Sequence, residues 1–198
     1  MTFSVAILAV VLVYTWVIAP IAPRWAAVVP TLLVLGLSAW RALRSGEWGV
    51  RRSAFLPALL WAAVATAVGT LAMYLAGSLL GTWRDQHDAW NRLAVLVPWG
   101  LGQQFALQTV FLRDAQAALS KSSGIWLAAL LFALLHLPNP FLTAATALGA
   151  LAWCWIYNRH PNLLPLAFSH AAVTLVILYA FDDTVTGGLR VGYAYWGR

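Results

Sequence analysis

Long apolar runs, separated by short polar segments, dominate this chain and constrain its fold more than any other feature. A bilayer core about 30 Å thick needs roughly 17–25 mostly apolar residues to cross as a helix. Read against that length, the chain divides into about seven spans: Phe3–Ala19, Trp25–Trp40, Ala54–Leu80, Leu93–Leu112, Gly124–Leu137, Phe141–Tyr157 and Asn162–Phe181. The second and fifth are short. The expected fold is a single all-α domain over residues 1–198, a polytopic membrane bundle of about seven (six to eight) helices. Composition agrees: 62% of the 198 residues are hydrophobic and 9% charged, where a soluble domain carries about a quarter charged residues. A soluble globular protein, a disordered chain and a disulfide scaffold are thereby excluded. Cys154, the single cysteine, lies in an apolar run and reads as a packed small hydrophobe.

The net charge of +6 does not indicate nucleic acid, because the basic residues are scattered through the segments between spans. Arg41, Arg44, Arg51, Arg52, Arg113, Lys121 and Arg159 fall on one side. Arg24, Arg84, Arg92, Arg190 and Arg198 fall on the other, with Arg84 and Arg92 beside Asp85 and Asp88. This excess predicts a multi-pass protein of the inner (cell) membrane with a cytoplasmic N-terminus and an external C-terminus. The first run lacks a basic flank and a small-x-small cleavage site, so it reads as an uncleaved helix. Trp25, Trp40, Trp83 and Trp90 read as interfacial anchors, and Trp153 as an anchor or a residue facing a partner. Ala65, Gly69, Gly77 and Gly81, and Ala145 with Gly149, have the spacing that lets helices approach closely.

Polar residues deep in apolar runs are costly unless paired, and so are informative. Three places qualify. The fourth span holds Gln103, Gln104 and Gln108; the fifth ends on His136 after Phe132; the seventh holds His170 and Thr174. At 1.5 Å per residue, Gln103 lies about 15 Å along its helix, His136 about 18 Å and His170 about 12 Å, near mid-bilayer in alternating helices. Gln104 and Gln108 share a face, as do Phe132 with His136 and His170 with Thr174. Any one of these groups reads equally well as interhelical glue. Their coincidence in depth favours a site.

The same segments resemble the motifs of the CPBP family, the CAAX proteases and bacteriocin-processing enzymes also called Abi, which are helical intramembrane endopeptidases. The family pattern is EExxxR, FxxxH and HxxxN. Here it recurs in order as Gln103-Gln104-xxx-Gln108, Phe132-xxx-His136 and His170-xxx-Thr174, within about residues 90–180. The resemblance implies a water-activating position at Gln103, carbonyl-holding positions at His136, His170 and Thr174, and a buried pair at Gln104 and Gln108. Both glutamates are Gln, the arginine is Gln and the asparagine is Thr. A carboxamide cannot accept a proton from water at neutral pH, so the general base is gone. The Glu–Arg pair is replaced at both ends, which leaves no stranded buried charge.

The leading expectation is therefore a catalytically impaired CAAX-protease-like protein whose polar cavity binds a peptide, a lipid or isoprenoid, or a membrane-protein partner. The alternative is an active endopeptidase that uses His136 or His170 as base, with Gln103 and Thr174 as carbonyl donors. No cofactor is expected. Two histidines without a nearby carboxylate or thiolate make a poor metal site, and no charged relay supports a transporter. Asp182, Asp183, Asp85, His87 and Asp88 read as solvated loop residues, His160 as interfacial, and the tail VGYAYWGR as lying on the membrane or clasping a partner.

Overall fold

Apolar composition and helix stop signals divide the chain where the sequence predicts. A computed structural model describes residues 1–84 and 88–197; Asp85, His87 and Arg198 lie outside the described residues. The long elements are α1 (Thr2–Val13), α2 (Val28–Ser45), α3 (Phe55–Leu80), α4 (Ala89–Ala106), α5 (Arg113–Ala118), α6 (Lys121–Leu134), α7 (Pro140–Arg159) and α8 (Leu163–Ala180), with a short α9 (Asp183–Thr186). α1 continues into a π-helical turn over Tyr14–Ile18, and a second π-helical stretch, Leu107–Leu112, joins α4 to α5. Among the described residues the only extended pairing is a bridge between Val50 and Asn162. The protein is an all-α membrane bundle.

Local chemistry sets the ends. Gly46 and Gly81 terminate α2 and α3 with positive φ, which glycine adopts without strain. Ser120, Asn139 and Asn162 cap α6, α7 and α8 by accepting from Ser123 N, Leu142 N and Leu164 N. Pro138 and Pro140 prevent α6 from running on into α7.

Four segments are long and apolar enough to cross a membrane: Arg24–Ser45, Arg52–Leu80, Pro140–Arg159 and Leu163–Ala180. Thr2–Ile18 and Lys121–Leu134 are shorter apolar helices. Burial sorts them. Within α8, 56% of residues are buried, against 17% in the apolar window of Arg52–Leu80. α8 is thus the central helix, packed between α3 and α4. α3 turns Leu60, Val64, Val68, Leu71 and Leu75 outward, as a helix facing acyl chains does. The exposed Trp25, Trp40, Trp83 and Trp90 contrast with Trp153, which is 5% exposed and faces inward.

Polar bonds tie the segments on each side together. Ser4 N and Oγ donate to Asp114 Oδ2 (3.1 and 2.9 Å), and Arg41 Nε donates to Asp114 Oδ1 (3.4 Å). Arg113 Nε and Nη2 donate to Glu47 Oε1 (2.8 and 2.6 Å), Gln116 Nε2 to Asn158 Oδ1 (2.9 Å), and Asn162 Nδ2 to Arg51 O (3.0 Å). The basic segments therefore share one side of the bundle. On the other side Arg84 N donates to Tyr179 O (2.8 Å) and Gly192 N to Leu137 O (2.7 Å). Asp182 is a helix cap, with Oδ1 accepting from Thr184 N and Val185 N of α9.

The small-residue stripes behave differently from expectation. Of the α3 glycines, Gly77 meets the backbone of Ala180, but a Cβ at Gly69 would find only Met73 of its own helix and one at Gly81 would find open space. Gly149 makes room for an indole instead of a helix: a Cβ there would lie 3.0 Å from the Trp153 ring. The close approach that matters for the site is at Gly100, where a Cβ would lie 3.0 Å from Ala167 O and 3.5 Å from His170 Cβ. The missing side chain lets α4 lie directly against α8.

Candidate functional site

The three motif-bearing segments meet around one cavity of about 470 Å³. Gln103, Phe132, His136, His170 and Thr174 line it, together with Thr146 and Trp153. No Asp, Glu, Lys or Arg is among its described lining residues. Gln104 and Gln108 do not line the cavity; they lie fully buried behind it. Adjacent helical residues point about 100° apart, so Gln103 faces the cavity while Gln104 faces the interior toward α8.

A hydrogen-bond chain runs through the buried pair. Gln108 Nε2 donates to Gln104 Oε1 at 3.0 Å, and Gln104 Nε2 donates to His170 Nδ1 at 3.3 Å. Gln108 Oε1 is buried without a hydrogen-bond partner. Turning both amides over would strand a buried amide NH₂ with two donors in place of one carbonyl oxygen, which is the dearer defect. The direction of the chain follows: both amides donate toward His170.

His136 is held differently. α6 ends at Leu134, so this residue sits in the turn just beyond the helix, not on it. Its Nδ1 lies 2.9 Å from Phe132 O. A carbonyl only accepts, so Nδ1 carries the proton, and the ring adds a second donor to a helix-end carbonyl that also accepts from Leu135 N at 3.3 Å. The Phe132 ring lies edge-on to both imidazoles, with centroids 5.0 Å from His136 and 6.4 Å from His170.

The sequence leaves open whether Trp153 is an anchor or faces a partner, and it does not point to Ser169, Thr66 or Asn139. Trp153 stacks on His170 at 4.5 Å with the planes 15° apart. Trp153 Nε1 donates to Ser169 Oγ at 3.0 Å. Ser169 Oγ lies 2.7 Å from Thr66 Oγ1, which itself donates to Ala62 O, so the Ser169 hydroxyl donates to Thr66. Only hydroxyls in apolar runs signal this network, and such hydroxyls usually satisfy themselves on their own helix. Asn139, 1% exposed, was also missed. Its Oδ1 caps α7 while its Nδ2 donates to Thr186 O (2.7 Å) and Arg190 O (3.1 Å). These bonds fold the C-terminal segment back on the bundle, where Leu189 and Val191 line the cavity. Gly192, next in the chain, packs against Thr15. The tail clasps its own chain. Cys154 is fully buried in the core, and no group of three or more His, Cys, Asp or Glu stands close enough to hold a metal ion among the described residues.

A cavity lined by residues of α1, α2, α4, α6, α7 and α8 and furnished with two imidazoles defines a class of helical membrane protein with a buried polar site. Residues 85–176, just under half of the chain, match the family model described as type II CAAX prenyl endopeptidase Rce1-like. That stretch contains all three motifs, in agreement with the resemblance to the CPBP family, and over it this membrane protein is similar to the CAAX proteases. No curated protein and no solved structure matches the chain.

Proposed function

We propose that this protein retains the cavity of a CAAX-type intramembrane protease without its hydrolytic chemistry, and that the cavity binds rather than cleaves. The observation that carries this reading is the lining itself. Gln103, His136, His170 and Thr174 share one cavity whose described lining includes no carboxylate. A family-type mechanism needs a carboxylate at the Gln103 position to take a proton from water, and a carboxamide at that position orients water without deprotonating it. Gln104 and Gln108 stand as hydrogen-bonded neutral amides where the family pattern has an ion pair, which supports a remodelled centre that still packs. Occupants of the right class are a peptide, a lipid or isoprenoid, or a segment of a membrane partner.

The protein is proposed to reside in the cell membrane with the basic side, which carries Arg41, Arg51, Arg113 and Lys121, in the cytoplasm. One observation favours a second reading: His136 Nε2 is not used by the Phe132 bond and remains an acceptor. That is what a proton-accepting imidazole in an active endopeptidase would present.

Incubating the purified protein with prenylated and leader peptides, beside its Gln103→Glu and His136→Ala variants, tests both. The expected result is no cleavage by the native protein. Cleavage that disappears in His136→Ala overturns the binding reading in favour of the second. Cleavage that appears only in Gln103→Glu supports the loss of the base.

A further inference from the structure

The two imidazoles present opposite hydrogen-bonding characters. His136 donates through Nδ1 to Phe132 O, so its Nε2 is a lone-pair acceptor. His170 accepts at Nδ1 from Gln104 Nε2, so in the neutral ring its Nε2 carries the proton and is a donor. Neither Nε2 has a hydrogen-bond partner among the described residues, and both residues line the cavity. The Gln108–Gln104 chain fixes this polarity, because it obliges the amide NH₂ of Gln104, not its oxygen, to face His170.

The remaining walls decide what else an occupant must be. They are mostly apolar, with Val11, Leu35, Phe111, Leu135 and Ile177 among them. An ionised carboxylate or phosphate would enter without a counter-charge, at a cost of several kcal/mol. The volume lies within the range of small-molecule pockets, about 300–1,000 Å³.

We infer that the cavity takes an uncharged amphiphile with a hydroxyl head and an apolar chain, the hydroxyl donating to His136 Nε2 and accepting from His170 Nε2–H. A hydroxyl both donates and accepts, so an alcohol head group offers each of the two rings the kind of partner it lacks. An ether or ester oxygen serves only His170 and leaves the His136 nitrogen unpaired. This assignment rests on the binding reading above and narrows it to a ligand class.

Photolabelling tests it on the full-length protein in phosphatidylcholine nanodiscs. The probe is a dodecan-1-ol with a diazirine on its chain, and adducts are mapped by mass spectrometry. The expected result is labelling of cavity-lining residues that unlabelled dodecan-1-ol competes away, with dodecyl methyl ether and dodecanoate each about ten-fold or more weaker as competitors at equal membrane concentration. His136→Phe keeps an aromatic ring against Phe132 and should erase the preference for alcohol over ether while labelling persists. If that variant fails to fold, the competitor series in the native protein still decides. Cavity labelling competed equally by ether, or better by dodecanoate, overturns the alcohol assignment and leaves a binding cavity standing. Adducts confined to lipid-facing residues overturn the assignment, and the peptide-cleavage assay then judges the broader reading separately.

Discussion

Gln108 Nε2 donates to Gln104 Oε1 across 3.0 Å on the buried face of the fourth long helix, and that bond sets which atoms of Gln104 meet His170. Two amides thus do what a buried ion pair would do, holding one helix in register against another, without placing charge in a low-dielectric interior. Gln108 itself lies in the π-helical stretch Leu107–Leu112, every residue of which is buried.

The Gln pair should be non-additive. Gln108→Leu strands the carbonyl of Gln104 and should cost about 1–3 kcal/mol, whereas the double change Gln104→Leu/Gln108→Leu removes both partners and should cost less than the sum of the singles. Thermal unfolding of the four proteins in detergent gives the coupling directly. Strict additivity would contradict a bond between the two amides.

Gly100 should tolerate no side chain of size. Leucine there must displace the Ala167 carbonyl and the His170 Cβ, so Gly100→Leu should lower stability by about 1–3 kcal/mol. Gly36, on α2, has nothing within 4 Å of its Cβ position. Gly36→Ala should be neutral or stabilising by up to about 1 kcal/mol. Melting temperatures measured side by side separate a packing effect from a general intolerance of substitution.

Asp114 predicts an acid-side loss of stability. It lies on the basic side, beyond the end of the fourth span. Burial alone would push its carboxyl up, but the Ser4 N–H and hydroxyl, the Met1 ammonium and Arg41 outweigh burial and hold it below the ordinary 3.8. A carboxyl lowered on folding contributes stability in full above its unfolded value and loses it as pH falls through the folded value. Stability should therefore be level with respect to this group above about pH 5 and decline below 3.8. In Asp114→Asn the overall stability should be lower at neutral pH and this part of the acid decline absent. Unfolding midpoints between pH 3 and pH 7 provide the measurement.

Asn139 should hold the C-terminal segment closed. Its amide group serves both a helix cap and two carbonyls of residues 186 and 190. Asn139→Ala should cost about 1–2 kcal/mol as a lost cap and should also speed proteolysis after Arg190. Asn139→Asp keeps the cap acceptor but removes the donors to the tail, so it should speed that proteolysis with a smaller loss of stability. Cleavage rates unchanged in both variants would show that other contacts hold the segment.

Fold class was legible because a membrane imposes its requirement locally. Each span must satisfy its own backbone and expose apolar side chains, so run length and stop signals suffice to place it. The seven expected runs fall on seven helices displaced by only a few residues, and the deep polar residues of three runs come to one cavity. Less legible were Gly100, Trp153, Ser169 and Asn139. Their roles depend on which neighbour stands opposite: a glycine matters where a carbonyl approaches it, and a tryptophan inside a span differs from one at its end only when its partner is known. The stripe reading of Gly69, Gly81 and Gly149 failed for the same reason, since spacing along one helix does not say which helix, if any, lies across from it.

Taken alone, the residue order determined that this chain is a bundle of apolar helices whose three motif segments carry amides, imidazoles and a hydroxyl deep in the apolar runs, with no carboxylate among them. Periodicity, hydropathy and side-chain chemistry are properties each segment carries by itself. Only the tertiary structure decided that Gln103 faces the cavity while Gln104 turns away from it, and that His136 keeps a lone pair free while His170 is left with a proton to donate. Those outcomes depend on helix rotation and on which carbonyl or amide stands across the gap. Both are set by packing between segments far apart in sequence.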